Sequence, residues 1–342
     1  MVVVDDEEQE SRGCCDVFCA LAQLCGVFCY ISCPPVPSII TNKLAFHPPK
    51  KGVTYHLRSK EEPEKTINSA VEVNDENFEI VVHSLHASHH TEFQTPSENI
   101  ETKDAILAQQ VLLFCQPNSS DVGGFLQPVL MNLVNFAQVF EMDVYAFDYS
   151  GYGYSTGSPC EKNIYADVRA VYQHIREKRP EMKIVLMGFS IGTTAAVDLA
   201  SSNPDGLAGV ILVAPFTSGL RLMSSKPTKK KSWCVDSFRS YDKVNKINAR
   251  VLICHGDKDE VIPIEHGMAL HQRLKNPVTV SIIHGANHQT ILSGRYSQTF
   301  TRIFRFLKDE TEVNGGNETI ESISGNPPTN PNFSNSAGCR DQ

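Results

Sequence analysis

One serine in this chain stands where a serine can act as a nucleophile. The run KIVLMGFSIGTTAAVDLA carries Gly188-Phe189-Ser190-Ile191-Gly192 between a β-branched apolar segment and an alanine-rich one. A strand that turns sharply into a helix at G-x-S-x-G lifts the serine hydroxyl above a sheet. The two glycines let neighbouring backbone approach closely. The helix that follows points its N-terminus at the site, and the Ile191 N–H becomes a candidate donor to a developing oxyanion.

A serine hydroxyl is a weak nucleophile, so a base and an orienting acid must accompany it. With this elbow they follow in the chain as acid, then histidine. CHGDKDEVIP offers Asp257, Asp259 and Glu260 in a loop after an apolar run. Asp259 is the candidate acid, deepest in the loop and just before Val261 and Pro263. Asp257 is the alternative, with a turn-forming role as its competing reading. IIHGANHQT offers His284 at the end of an apolar run and His288 beyond a glycine-containing loop. That loop can carry His288 over Ser190, which makes it the candidate base and leaves His284 as the alternative. His255, His266 and His271 read as structural or surface, and the histidines between 83 and 90 read as solvated.

A second oxyanion donor is expected from the loop after QVLLFC, which reads Gln116-Pro117-Asn118-Ser119-Ser120-Asp121. Hydrolases with this elbow commonly place His-Gly there. Proline has no N–H and a fixed φ, so Pro117 cannot serve and the expected donor is the N–H of Asn118.

These residues need a scaffold. Short apolar runs at 79–85, 110–115, 143–149, 183–189, 207–215, 249–256 and 278–285 alternate with helical stretches near 122–140, 161–178, 191–202, 263–275 and 295–308. Nearly unbroken apolar strands between amphipathic helices predict an α/β fold with a mostly parallel central sheet covered by helices on both faces. Residues 219–246 form a small insertion carrying Lys226, Lys229, Lys230 and Lys231. The boundaries expected are an acidic start and cysteine-rich segment over 1–42, a catalytic domain over 43–309 and a disordered polar tail over 310–342.

A net charge of −8 argues against a nucleic-acid partner. No CxxC pair with matching histidines appears, so no metal is expected, and the chemistry above needs no cofactor. Singly scattered cysteines outside the amino-terminal segment fit a reducing compartment.

Several stretches together resemble the alpha/beta-hydrolase domain-containing 17 family. They are FDYSGYGYSTGSPCEKNIYADVRAVY (147–172), GFSIGT (188–193), KKKSWCVDSFRSYDKVNKINARVLICHGDKDEVIP (229–263), GANH (285–288) and KLAFHPP (43–49). The resemblance implies an alpha/beta-hydrolase fold and a membrane-anchored serine hydrolase that removes palmitate from protein cysteines. It implies Ser190 as nucleophile, Asp259 as acid and His288 as base. Palmitoylated membrane-associated proteins would be the substrates, at the cytoplasmic face of plasma and endosomal membranes, and a monomer is expected. The family usually has Ser-His-Gly-Asn where this chain has Cys115-Gln116-Pro117-Asn118, and Gly-Gln-Ser where this chain has Gly188-Phe189-Ser190. Two other readings stay open: a lipid or small-ester hydrolase, and a catalytically weakened membrane-bound pseudo-hydrolase acting as an interaction protein.

The segment CCDVFCALAQLCGVFCYISCPP holds Cys14, Cys15, Cys19, Cys25, Cys29 and Cys33 and is uncharged from Val17 to Cys33. An acidic start and the following prolines do not fit a signal peptide. The uncharged run is at the lower limit for a membrane span. On a helix, spacings of four and six bring several of these thiols towards one side. Reversible S-palmitoylation of several of the six is expected, giving a stable anchor once two chains are attached.

Overall fold

The computed structural model describes residues 45–62, 64–69, 78–82, 106–127, 132–223, 227–228 and 236–311. The six amino-terminal cysteines, the histidines between 83 and 90, and Lys226, Lys229, Lys230 and Lys231 lie outside the described residues. Among the described residues no helix is long and apolar enough to cross a membrane.

Two sheets form. In the first, β1 (Tyr55–Ser59) pairs antiparallel with β2 (Thr66–Ile67) on one side and β3 (Phe78–Val82) on the other. The second contains β4 (Gln110–Cys115), β5 (Asp143–Ala146), β6 (Lys183–Phe189), β7 (Leu207–Val213), β8 (Val251–Gly256) and β9 (Ser281–Ile283). Its order is β5-β4-β6-β7-β8-β9 and every neighbouring pair is parallel. The helices, in chain order, are α1 (Val122–Phe125), α2 (Leu133–Phe140), α3 (Glu161–Lys178) and α4 (Gly192–Ala200). Then come α5 (Gly219–Met223), α6 (Ser240–Lys243), α7 (Ile264–His271) and α8 (Ser297–Arg305).

The large sheet is apolar on both faces, because alternate side chains point to opposite sides. Val111 and Leu113 of β4 join Ile184 and Leu186 of β6 in one buried layer, packed with Ile164 and Val168 of α3 and Ala195 and Leu199 of α4. Leu112 and Phe114 join Val185 and Met187 in the other, under Phe136 and Phe140 of α2 and Ile303 of α8. This is the covered α/β sheet that the apolar runs predict.

Three elements differ from expectation. Residues 79–82 of the run at 79–85 do not join the parallel sheet; with Phe78 they form an edge of the small antiparallel one. An apolar run reports burial but not the direction of the partner strand. The stretch 122–140 is two helices, each with its own N-cap: Asp121 accepts from the Gly124 N–H at 2.8 Å and Asn132 from the Asn135 N–H at 2.7 Å. The last strand is only Ser281–Ile283, at the sheet's edge.

The chain runs from β4 outward to β5, then returns through α3 to β6 on the other side of β4. Where strand order reverses in this way, a crevice opens beyond the carboxyl ends of the two strands. Those ends are Cys115 and Phe189, so Ser190 and the loop bearing Asn118 both sit at its mouth. The insertion is stitched at its base: the Gly219 N–H donates to the Ser237 carbonyl and the Tyr241 N–H to the Thr217 carbonyl, each at 2.9 Å. Arg221, buried there, pairs with Asp242 at 3.2 Å and lies 4.6 Å over the Tyr241 ring.

Candidate active site

The turn after β6 places its left-handed residue at the serine. Ser190 has φ +54°. Such a backbone costs a non-glycine residue roughly 1–3 kcal/mol and persists only where the surroundings hold it. Here the Ser190 N–H donates to the Val213 carbonyl of β7 at 3.0 Å, and the Ser190 carbonyl accepts from the Thr193 N–H at 3.0 Å. The flanking glycines answer to space rather than to φ. A Cβ on Gly188 would lie 2.6 Å from the Gly192 carbonyl oxygen, and one on Gly192 would lie 2.1 Å from that of Cys115. That second approach draws the loop after β4 against the elbow.

The His288 Nε2 lies 3.0 Å from Ser190 Oγ, and its Nδ1 lies 2.8 Å from Asp259 Oδ2. The serine, the acid and the base come from the ends of β6, β8 and β9. Asp259 Oδ1 accepts from the N–H groups of Val261 at 2.9 Å and Ile262 at 2.7 Å. Burial alone raises the Asp259 carboxyl pKa; the hydrogen bonds from His288 and from the Ile262 N–H outweigh it, and the net shift is downward. Asp259 therefore stays ionised and holds the imidazole with Nε2 facing the serine. Behind it, fully buried His255 donates through Nε2 to the Ile262 carbonyl at 2.8 Å. Burial lowers its pKa and keeps it neutral. The Phe189 ring packs 5.3 Å from the His288 ring.

The alternative residues also meet, but elsewhere. His284 Nδ1 lies 3.0 Å from Asp257 Oδ2 in an exposed pair. Asp257 also accepts from the Gly285 N–H at 2.7 Å, which braces the loop that carries His288.

Ile191 stands at the head of α4, where N–H groups have no intrahelical acceptor. Asn118 is held across the crevice. Its loop is pinned at both ends by Asp148, whose Oδ1 accepts from Gln116 Nε2 at 3.0 Å and from the Val122 N–H at 2.8 Å, while Oδ2 accepts from the Tyr55 hydroxyl at 2.6 Å. Burial raises the Asp148 pKa, and these three donors only partly offset it. The Tyr149 hydroxyl donates to the Gln116 carbonyl at 2.8 Å, and Ser119 completes the turn at φ +60°. So Gln116 is a buried strut. Sequence reading missed Asp148, although it lies inside the quoted FDYSGYGYS stretch; an aspartate just past a strand end at the crevice was the available signal.

Among the described residues no buried thiol competes as nucleophile: burial pushes Cys115 and Cys254 up to about 12. Among the described residues no group of three or more His, Cys, Asp or Glu side chains is placed to hold a metal ion. A serine, an imidazole and a carboxylate in one hydrogen-bonded row can carry out acyl transfer through a covalent ester.

A parallel sheet with an elbow serine at its switch point, an aspartate after β8 and a histidine after β9 defines the α/β-hydrolase class. The family described as Serine aminopeptidase, S33 matches residues 131–241, which include Ser190 and stop short of Asp259 and His288. The chain is 34% identical over 313 residues to Alpha/beta hydrolase domain-containing protein 17C of Xenopus laevis, covering 85% of this chain and 95% of that protein. It is 33% identical over 313 residues to Alpha/beta hydrolase domain-containing protein 17B of Homo sapiens, covering 85% and 97%. The protein belongs to the alpha/beta hydrolase domain-containing protein 17 family of serine hydrolases. Among solved structures, the Pyrococcus furiosus esterase Pf2001 superposes with a TM-score of 0.48 at 19% identity, over 59% of this chain and 84% of that one.

Proposed function

We propose that the protein hydrolyses palmitoyl thioesters on cysteines of membrane-associated proteins, with Ser190 as nucleophile, His288 as base and Asp259 as orienting acid. The observation that carries the hydrolytic part is the 3.0 Å contact between His288 Nε2 and Ser190 Oγ, backed by the 2.8 Å contact to Asp259. His288 takes the serine proton as Oγ attacks the thioester carbonyl. The tetrahedral oxyanion is met by the N–H groups of Ile191 and Asn118. The C–S bond breaks, the departing thiolate takes the proton from imidazolium, and the acyl group remains on Ser190. His288 then activates a water, which releases the fatty acid and restores the serine. No metal or organic cofactor takes part.

The thioester assignment is supported by the family resemblance and by the six cysteines at 14–33, which we read as S-palmitoylated anchors. Two acyl chains suffice for stable anchoring. This reading puts the catalytic domain, as a monomer, at the cytoplasmic face of membranes where its substrates sit. If hydroxylamine leaves membrane association unchanged, the anchor reading fails and a true span replaces it.

The deciding measurement is release of palmitate from a palmitoylated peptide by wild type and Ser190→Ala, beside monoacylglycerol and a short-chain ester. Ser190-dependent turnover of the peptide supports the proposal. Turnover of the other esters alone points to a lipid or small-ester hydrolase. Pro117 is the observation that favours a weakened pseudo-hydrolase: that reading predicts no turnover by wild type, no labelling of Ser190 by a fluorophosphonate, and a gain in Pro117→Gly.

A further inference from the structure

KLAFHPP, just after the cysteine-rich segment, has no part in the chemistry above, yet its residues reach the site. The His47 backbone N–H donates to Asn118 Oδ1 at 3.0 Å, and His47 Nδ1 lies 3.2 Å from Asn118 Nδ2. The Tyr152 hydroxyl donates to the same Oδ1 at 2.8 Å. Two donors converging on one atom identify it as the amide oxygen. His47 Nδ1 then accepts from the amide nitrogen, and the side chain of Asn118 is gripped on both edges. Pro48 restricts the backbone of His47 to extended conformations, so the N–H is presented in advance.

Phe46 holds this grip in place. It is 5% exposed, with its ring centroid 6.5 Å from Tyr152 and 5.8 Å from Phe238. Phe238 belongs to the returning limb of the insertion, and its N–H donates to Glu161 at 2.9 Å. One apolar side chain from outside the α/β layers thus ties the loop after β5 to the insertion, and its chain neighbour His47 holds the Asn118 loop. The loop beside it carries Pro117, which has no N–H with which to anchor the turn before Asn118.

We infer that Phe46 and His47 are positioning residues for the hydrolytic site, holding the Asn118 side chain and through it the N–H that meets the oxyanion. The inference rests on the reading of Asn118 as an oxyanion donor. Oxyanion donors act on the transition state more than on bound substrate, so their displacement lowers kcat and leaves KM nearly unchanged.

The test is a double-mutant cycle on the full chain with p-nitrophenyl butyrate, a soluble ester whose turnover does not depend on membrane presentation. Wild type, His47→Ala, Asn118→Ala and the double variant are compared, with Ser190→Ala as background. His47→Ala is expected to lower kcat about 10-fold, with KM within about twofold. In Asn118→Ala the same change is expected to cost nothing further, because its partner is gone. His47→Asn, whose Oδ1 takes the place of the ring nitrogen, is expected to recover most of the turnover. An unchanged kcat in His47→Ala, an equal loss in both backgrounds, or failure of His47→Asn to recover turnover would each overturn the inference while leaving the hydrolase reading intact. No Ser190-dependent turnover by wild type of either this ester or the palmitoylated peptide overturns both.

Discussion

The chain builds two Asp–His pairs from the same two loops, two and four residues apart, and gives them opposite surroundings. Asp257 and His284 meet at 3.0 Å with their side chains 30% and 82% exposed. Asp259 and His288 meet at 2.8 Å with 1% and 13% exposed. Hydrogen-bond length hardly separates them. What separates them is that the inner imidazole has its second nitrogen on Ser190, and that the inner carboxylate is shut from water with two backbone donors behind it. A shielded carboxylate orients an imidazole, whereas an exposed one is screened and competes with solvent.

The largest effects expected from breaking this contrast fall on the inner row. Ser190→Ala and His288→Ala are each expected to lower kcat by about 10⁶, and Asp259→Asn by about 10⁴, measured on any ester the wild type turns over. Gly192→Ala comes next. Its new Cβ would meet the Cys115 carbonyl, so a loss of about 3 kcal/mol in urea unfolding is expected, with the serine displaced.

A smaller effect is expected in acid. Burial is the main cause holding the His266 pKa down to about 4, against about 6.5 when unfolded. The unfolded chain therefore binds a proton that the folded chain refuses, and stability falls as pH drops from about 6.5 towards 4. His266→Gln is expected to flatten that limb of the urea-midpoint curve. The smallest effects belong to the outer pair: Asp257→Asn and His284→Ala are expected to change kcat by less than about threefold. A loss comparable with Asp259→Asn would erase the distinction between the pairs.

Much of this was legible beforehand, and for physical reasons. The runs at 110–115, 183–189 and 249–256 are largely apolar because both sides of those strands are covered. Ser190, Asp259 and His288 stood out because one turn type and one chain order constrain them. Strand pairing of Phe78–Val82 was not legible, since local pattern carries no partner. Nor was the role of Asp148 or His47. Each acts on a loop through contacts 26 to 71 residues away in the chain, and such distances leave no local period to read.

The stitched base of the insertion has a consequence for how such a molecule can change. Chain leaving at Met223 and returning at Asp236 starts from ends already joined by Gly219 to Ser237, Tyr241 to Thr217 and Arg221 to Asp242. The entropy of closing that loop is met at its neck, and doubling its length adds only about 0.6 kcal/mol. The sequence between those ends can change in length or charge at little cost to folding. A family can therefore vary the sequence there without reopening the question of whether the protein folds.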